Sequence, residues 1–151
     1  MAKPNFSKFK TFGKTPHRFA SVIEVNEGQW SGGDVKIDIR EWSNDGTPRN
    51  GVTLYNEEIP RLIDSLARIT SNNNPVKGAE EFAPQNRDGR LAERVIVKIK
   101  SEWFEGVEYI DIRIWLTKNN IATRNGIKMR ADKVNDLIDI LNTVPTERTK
   151  Y

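Results

Sequence analysis

The feature that most constrains this chain is that it is written twice. The hexapeptide IDIREW at residues 37–42 returns as IDIRIW at 110–115. At a fixed offset of 73, Val22, Ile23, Trp30 and Gly33 return as Val95, Ile96, Trp103 and Gly106. At an offset of 75, PRNGVTL (48–54) returns as TRNGIKM (123–129) and RLIDSL (61–66) as DLIDIL (136–141). One two-residue insertion in the loop after the tryptophan accounts for the change of offset. Two copies are too few for a solenoid, which normally stacks about three units or more, so two units that complete each other are expected.

The echo divides the chain into a basic arm (1–17), a first repeat (18–69), a linker rich in Asn, Pro and Gly (70–90), a second repeat (91–144) and a short tail (145–151). Each repeat reads as strands followed by a helix. IDIREW alternates, with Ile37 and Ile39 on one face and Asp38, Arg40 and Trp42 on the other. IDIRIW sharpens the pattern, with Ile110, Ile112 and Ile114 opposite Asp111, Arg113 and Trp115. RVIVKIK (94–100) sets Val95, Val97 and Ile99 against Lys98 and Lys100; its counterpart ASVIEVNE alternates less cleanly, and a one-residue bulge between the copies is the expectation there. PRNGVTL and TRNGIKM read as further strands whose Asn-Gly pairs mark a turn or bulge with positive φ.

A helix closes each repeat. Ile59, Leu62, Ile63, Leu66 and Ile69 follow helical spacing, as do Val134, Leu137, Ile138, Leu141 and Val144. Asn56 and Asp132 are the expected N-caps, and Pro60 requires the first helix to start close to it.

A helix covers only one face of a sheet, and the isoleucine face is its partner. The opposite face then presents Arg40, Trp42, Arg113 and Trp115, joined by Lys98 and Lys100. Exposed tryptophan beside arginine is costly unless it binds something. Single-stranded nucleic acid fits: rings stack on unpaired bases while Arg and Lys track phosphates. The alternative is that these tryptophans pack in a second core, between repeats or between chains.

Charge is distributed rather than massed. The net charge is +3, made up of +4 in residues 1–17, −3 in the first repeat, zero in the linker, +1 in the second repeat and +1 in the tail. Polyanion binding must rest on local placement and on the arm, where Phe6, Phe9 and Phe12 interleave with lysines. The chain has no cysteine, which excludes disulfides and thiolate metal sites and fits an intracellular protein. No apolar run approaches a membrane span, and the basic N-terminal segment lacks the apolar stretch of a secretory signal. The acidic groups Glu57–Glu58, Glu80–Glu81 and Asp132, Asp136 and Asp139 read as helix-start charges, a linker run and a solvated face rather than as a nuclease centre. The only histidine, His17, lies in the arm.

An aromatic-bearing turn, an IDIR strand ending in an aromatic, a polar loop, an R-x-G-[VI]-x-[LM] strand and an amphipathic helix recur in order in both repeats. This order resembles the single-stranded-DNA-binding domain of the eukaryotic transcriptional coactivator positive cofactor four, whose superfamily includes the plant Whirly proteins. The match covers IDIREW with PRNGVTL and IDIRIW with TRNGIKM. The resemblance implies an α+β fold: a curved antiparallel sheet of about four strands and a helix per repeat, the helices pairing the domains. It carries DNA contact onto Arg40, Arg113, Arg49 and Arg124 and points to Trp30 and Trp103 in the preceding turn. Lys128, in the second R-x-G strand, joins that set. Asn50 and Asn125 stand where the family has lysine, and the family's aromatic pair after IDIRE is reduced to Trp42 and Trp115.

The expectation is therefore a non-enzymatic, sequence-tolerant single-stranded-DNA-binding protein of replication, recombination or transcription, without cofactor or membrane partner. The family dimer is expected as a pseudo-dimer within one chain, further homo-oligomers being left open. RNA is the alternative partner, and a transcription-associated protein-interaction module the alternative role.

Overall fold

A computed structural model describes residues 5–18, 20–71, 76–77, 85–87, 90–100, 108–116 and 121–147. Its class is α+β. The first half forms an antiparallel sheet in the order β1-β2-β3-β4, from β1 (Phe6–Arg18), β2 (Ser21–Trp30), β3 (Val35–Ser43) and β4 (Pro48–Leu54). A 3₁₀ turn leads from it into helix α1 (Ile59–Ser71). In the second half, β7 (Arg90–Lys100), β8 (Glu108–Leu116) and β9 (Ile121–Arg130) form a second antiparallel sheet, with the short β5 (Val76–Lys77) and β6 (Gln85–Arg87) both paired to β7. A 3₁₀ turn and helix α2 (Val134–Leu141) follow. No helix among the described residues is long and apolar enough to cross a membrane.

The segment read as a basic arm is thus the first strand of a sheet. Its lysines interrupt the alternation that would have marked it. Three register shifts, at Lys8/Lys10, Thr11/Gly13 and Pro16/Arg18, re-aim its side chains as bulges do. The linker likewise contains the end of α1 and the backbone of β5 and β6.

The isoleucine faces behave as their period requires. Ile23, Val25, Ile37, Ile39, Val52 and Leu54 of the first sheet and Ile110, Ile112, Ile127 and Met129 of the second are buried in one apolar cluster. Into the same cluster the helices send Ile59, Leu62 and Leu66, and Val134, Leu137 and Leu141, with Val144 just beyond. At roughly 1.5–3 kcal/mol for each large apolar side chain removed from water, this shared core is the main source of stability. Pro60 lies in the first turn of α1, where its missing N–H costs nothing. Asn56 is not the helix cap; buried, it donates from Nδ2 to the Pro145 carbonyl at 2.9 Å. Asp132 does not cap α2 but accepts from Arg130 Nη2 at 3.1 Å.

The copies differ in register. Val22 stands opposite Trp42, whereas its sequence counterpart Val95 stands opposite Arg113. A slip of two residues leaves every side chain on its original face, which is why the repeat tolerates it. The same ladder places Lys98 opposite Ile110 and Lys100 opposite Glu108, not in the row of Arg113 as alternation suggested. Both apolar and polar rows of RVIVKIK carry aliphatic residues, so the pattern alone does not choose the inward one.

Gly51 and Gly126 do not adopt positive φ. Each stands opposite the hexapeptide arginine, Arg40 or Arg113, beside a register shift. A Cβ on Gly51 would meet Arg40 Cβ at 2.7 Å, and one on Gly126 would meet the Ile112 carbonyl oxygen at 2.7 Å. The glycine is there because the neighbouring strand passes too close for a side chain. Gly51→Ala should therefore lower stability by about 1–3 kcal/mol, as overpacking does. A denaturant melt with unchanged slope and a lower midpoint would show it.

Candidate nucleic-acid interface

The face of the first sheet turned away from the core is curved and concave. The Phe6 ring lies over Gly28, whose ladder partner on β3, Lys36, is six residues from Trp42. On a flat sheet that separation is about 20 Å. The ring centroids of Phe6 and Trp42 are 6.0 Å apart, so the sheet curls until its two ends share one aromatic cluster. Trp30 completes the cluster, 4.9 Å from Phe6.

A buried carboxylate organises this face. Asp38 is 0% exposed and accepts from Trp30 Nε1 at 2.9 Å and from Arg40 Nε at 3.0 Å. Arg40 also stacks over the Trp30 ring, 4.8 Å from its centroid, and donates from Nη1 to the Arg49 carbonyl at 2.6 Å. The strand period places Asp38 and Arg40 two residues apart on one face, which turns the D-x-R of the repeat into a bidentate pair. The second copy repeats it, with Arg113 Nε on Asp111 Oδ1 at 3.0 Å and Nη2 on Oδ2 at 3.1 Å.

Structure thus separates the expected site residues. Trp30, Arg40, Trp42 and Arg49 come together on or beside the concave face. Trp42 is not the open stacking platform of the expectation: it is 8% exposed, covered by Phe6 and by Lys8, whose Nζ sits 4.3 Å from the ring centroid. Its Nε1 is buried and has no hydrogen-bond partner among the described residues. Arg40 and Arg113 are held by carboxylates, so neither guanidinium stands open for phosphate alone. Arg49 is exposed, its Nε donating to Ser43 Oγ at 2.5 Å. Lys128 is exposed in the register row of Asp111, with its Nζ 5.0 Å from the Tyr109 ring centroid. Trp103 lies outside the described residues, as do the side chains of Lys98, Lys100, Trp115 and Arg124.

Sequence reasoning missed Lys8 and Glu24 in this site, which pair at 2.8 Å, and Thr11 and Asn26, which hydrogen-bond at 2.6 Å. Their signal was available only once β1 is known to be a strand. His17 also leaves the arm reading: its Nε2 is 3.7 Å from Glu41 Oε2, which accepts from Ser21 Oγ at 2.8 Å on the core side of β3.

Arg49 is delivered by the β3–β4 turn, where Gly46 takes φ 86°. In that turn the hydroxyl of Thr47, then its backbone N–H, and to a lesser degree the charge of Arg49 hold the Asp45 carboxyl below the usual aspartate range. A carboxyl lowered in the folded state favours folding above its unfolded value and loses that contribution as pH falls through the folded one. Thr47→Val should move the Asp45 midpoint in an NMR titration back upward. No family model matches the chain, and no curated protein matches it.

Because Asp38 is fully buried, removing its partner strands a charge. Arg40→Ala should cost about 3–5 kcal/mol of stability, the usual penalty for breaking a buried pair from one side. The double variant Asp38→Ala/Arg40→Ala should recover part of that loss. Chemical denaturation of the two proteins measures the difference.

Proposed function

We propose that the protein binds single-stranded DNA without catalysis and with little base preference. The observation that carries this reading is the pair of tryptophans, Trp30 and Trp42, gathered on a concave sheet face beside Arg40 and Arg49, with Phe6 and Lys8 lying against their rings. Rings stack on any unpaired base, and a curved face admits a flexible single strand more readily than a stiff duplex. The exposed cations Lys10, Lys14, Arg49 and Lys128 supply charge for phosphates. The resemblance to the coactivator domain points the same way.

The reading includes an internal pseudo-dimer, the repeats packed through their helices and related by an approximate two-fold. Support comes from the apolar cluster to which both halves contribute and from two ties between them, Asn56 to the Pro145 carbonyl and Thr15 Oγ1 to Asp136 Oδ2 at 3.3 Å.

Titration of labelled oligothymidine, the matching RNA and a duplex at two salt concentrations tests the function. Single-stranded DNA should bind more tightly than duplex. For about six neutralised phosphates, log K should fall with log[salt] at a slope near −4. Equal affinity for duplex overturns the reading; stronger RNA binding reassigns the partner.

A further inference from the structure

Strand β1 is two structures in one. Its second part is pinned: Phe12 packs on the apolar cluster, Gly13 lies against Ile140 of α2, and Thr15 is 3% exposed and bonded to Asp136. Its first part, residues 6–11, lies over the aromatic face. There Phe6 covers Trp30 and Lys8 covers Trp42, at the ring distances given above. A register shift between Lys8 and Lys10 and another between Thr11 and Gly13 interrupt its ladder to β2. Each shift leaves a residue out of the pairing, which weakens the strand where it covers the rings.

The start of this segment is latched by Ser31. The Asn5 N–H donates to Ser31 Oγ at 2.8 Å, and the Ser31 N–H donates to the Asn5 carbonyl at 2.7 Å. Ser31 holds φ 36°, a conformation costly for a side-chain-bearing residue, so the latch works against backbone strain. Beneath the cover, the Trp42 indole N–H is buried without an acceptor among the described residues. The side chains of the cover offer that N–H nothing: the Phe6 ring carries no acceptor atom, and the Lys8 ammonium is itself a donor.

We propose that residues 6–11 are a built-in competitor for the nucleic-acid site. Phe6 occupies the place of a base on Trp30, and Lys8 that of a base on Trp42. A single strand binds by displacing this segment about the Thr11–Gly13 shift. The incoming strand supplies what the cover lacks, a carbonyl or phosphate oxygen to accept from Trp42 Nε1, and the released Lys8 turns from Glu24 to a phosphate. Affinity is therefore the difference between two occupants of one face, and the free protein keeps Trp42 out of water until a strand arrives. This inference rests on the single-strand reading above.

An engineered disulfide tests it reversibly. Ser7 and Gln29 are directly opposite in the β1–β2 ladder, and the chain has no native cysteine to interfere. The full-length Ser7→Cys/Gln29→Cys protein, reduced, should bind labelled oligothymidine as the parent does. Oxidised, it should bind at least about tenfold more weakly, and reductant should restore it. Phe6→Ala should bind more tightly than the parent. Oxidised protein that binds as well as reduced protein overturns the competitor, as does weaker binding by Phe6→Ala, which would make Phe6 part of the platform. Absence of oligothymidine binding by the parent and by every variant defeats the single-strand reading itself.

Discussion

A carboxylate with no access to water sets the geometry of the polar face. Asp38 can remain buried only while Arg40 and the Trp30 indole satisfy it, and those partners come from two different strands. Satisfying it draws the Trp30 end of β2 across the sheet and pins the arginine against the Arg49 carbonyl on β4. Three strands are thereby locked to one side chain, on the face where no hydrophobic core could do it. The apolar cluster holds the sheets to the helices; the buried ion pair ties Trp30, Arg40 and the Arg49 carbonyl together on the outer face.

That arrangement changes the meaning of the repeated arginines. Read as free cations they look like phosphate ligands, yet each spends its fork on the aspartate two residues before it. Exposed positive charge on the described residues lies outside the repeated hexapeptide, at positions that include Lys10, Lys14, Arg49 and Lys128. The hexapeptide arginines organise the polar face, and exposed cations lie among their neighbours.

Much of this was legible in the sequence where a fixed period governs the outcome. The buried rows Ile37/Ile39 and Ile110/Ile112 and the stripes Ile59/Leu62/Leu66 and Val134/Leu137/Leu141 follow from periods of 2 and 3.6. What stayed hidden depends on partners distant in the chain. The burial of Trp42 needs the curl of the sheet and the cover of β1, and β1 is itself disguised by lysines and register shifts. Asn-Gly looked like a turn signal at positions 50–51 and 125–126. The glycine answers instead to a neighbouring backbone that local sequence does not reveal. Asn56 looked like a cap because it precedes a helix, but its partner lies 89 residues away at Pro145.

The shared core also has a consequence for how the two copies are free to change. An assembly of identical subunits comes apart on dilution, and every substitution in it appears at two symmetric places. Halves joined in one chain form their common interior whatever the concentration, and each substitution appears once. The first copy uses that freedom on the inner row of its hexapeptide strand: Glu41, buried beside His17 and Ser21, stands where the second copy has Ile114. An acid with a tailored partner on one side and an aliphatic residue at its echo is a division of labour that a strictly symmetric pair has no means to write.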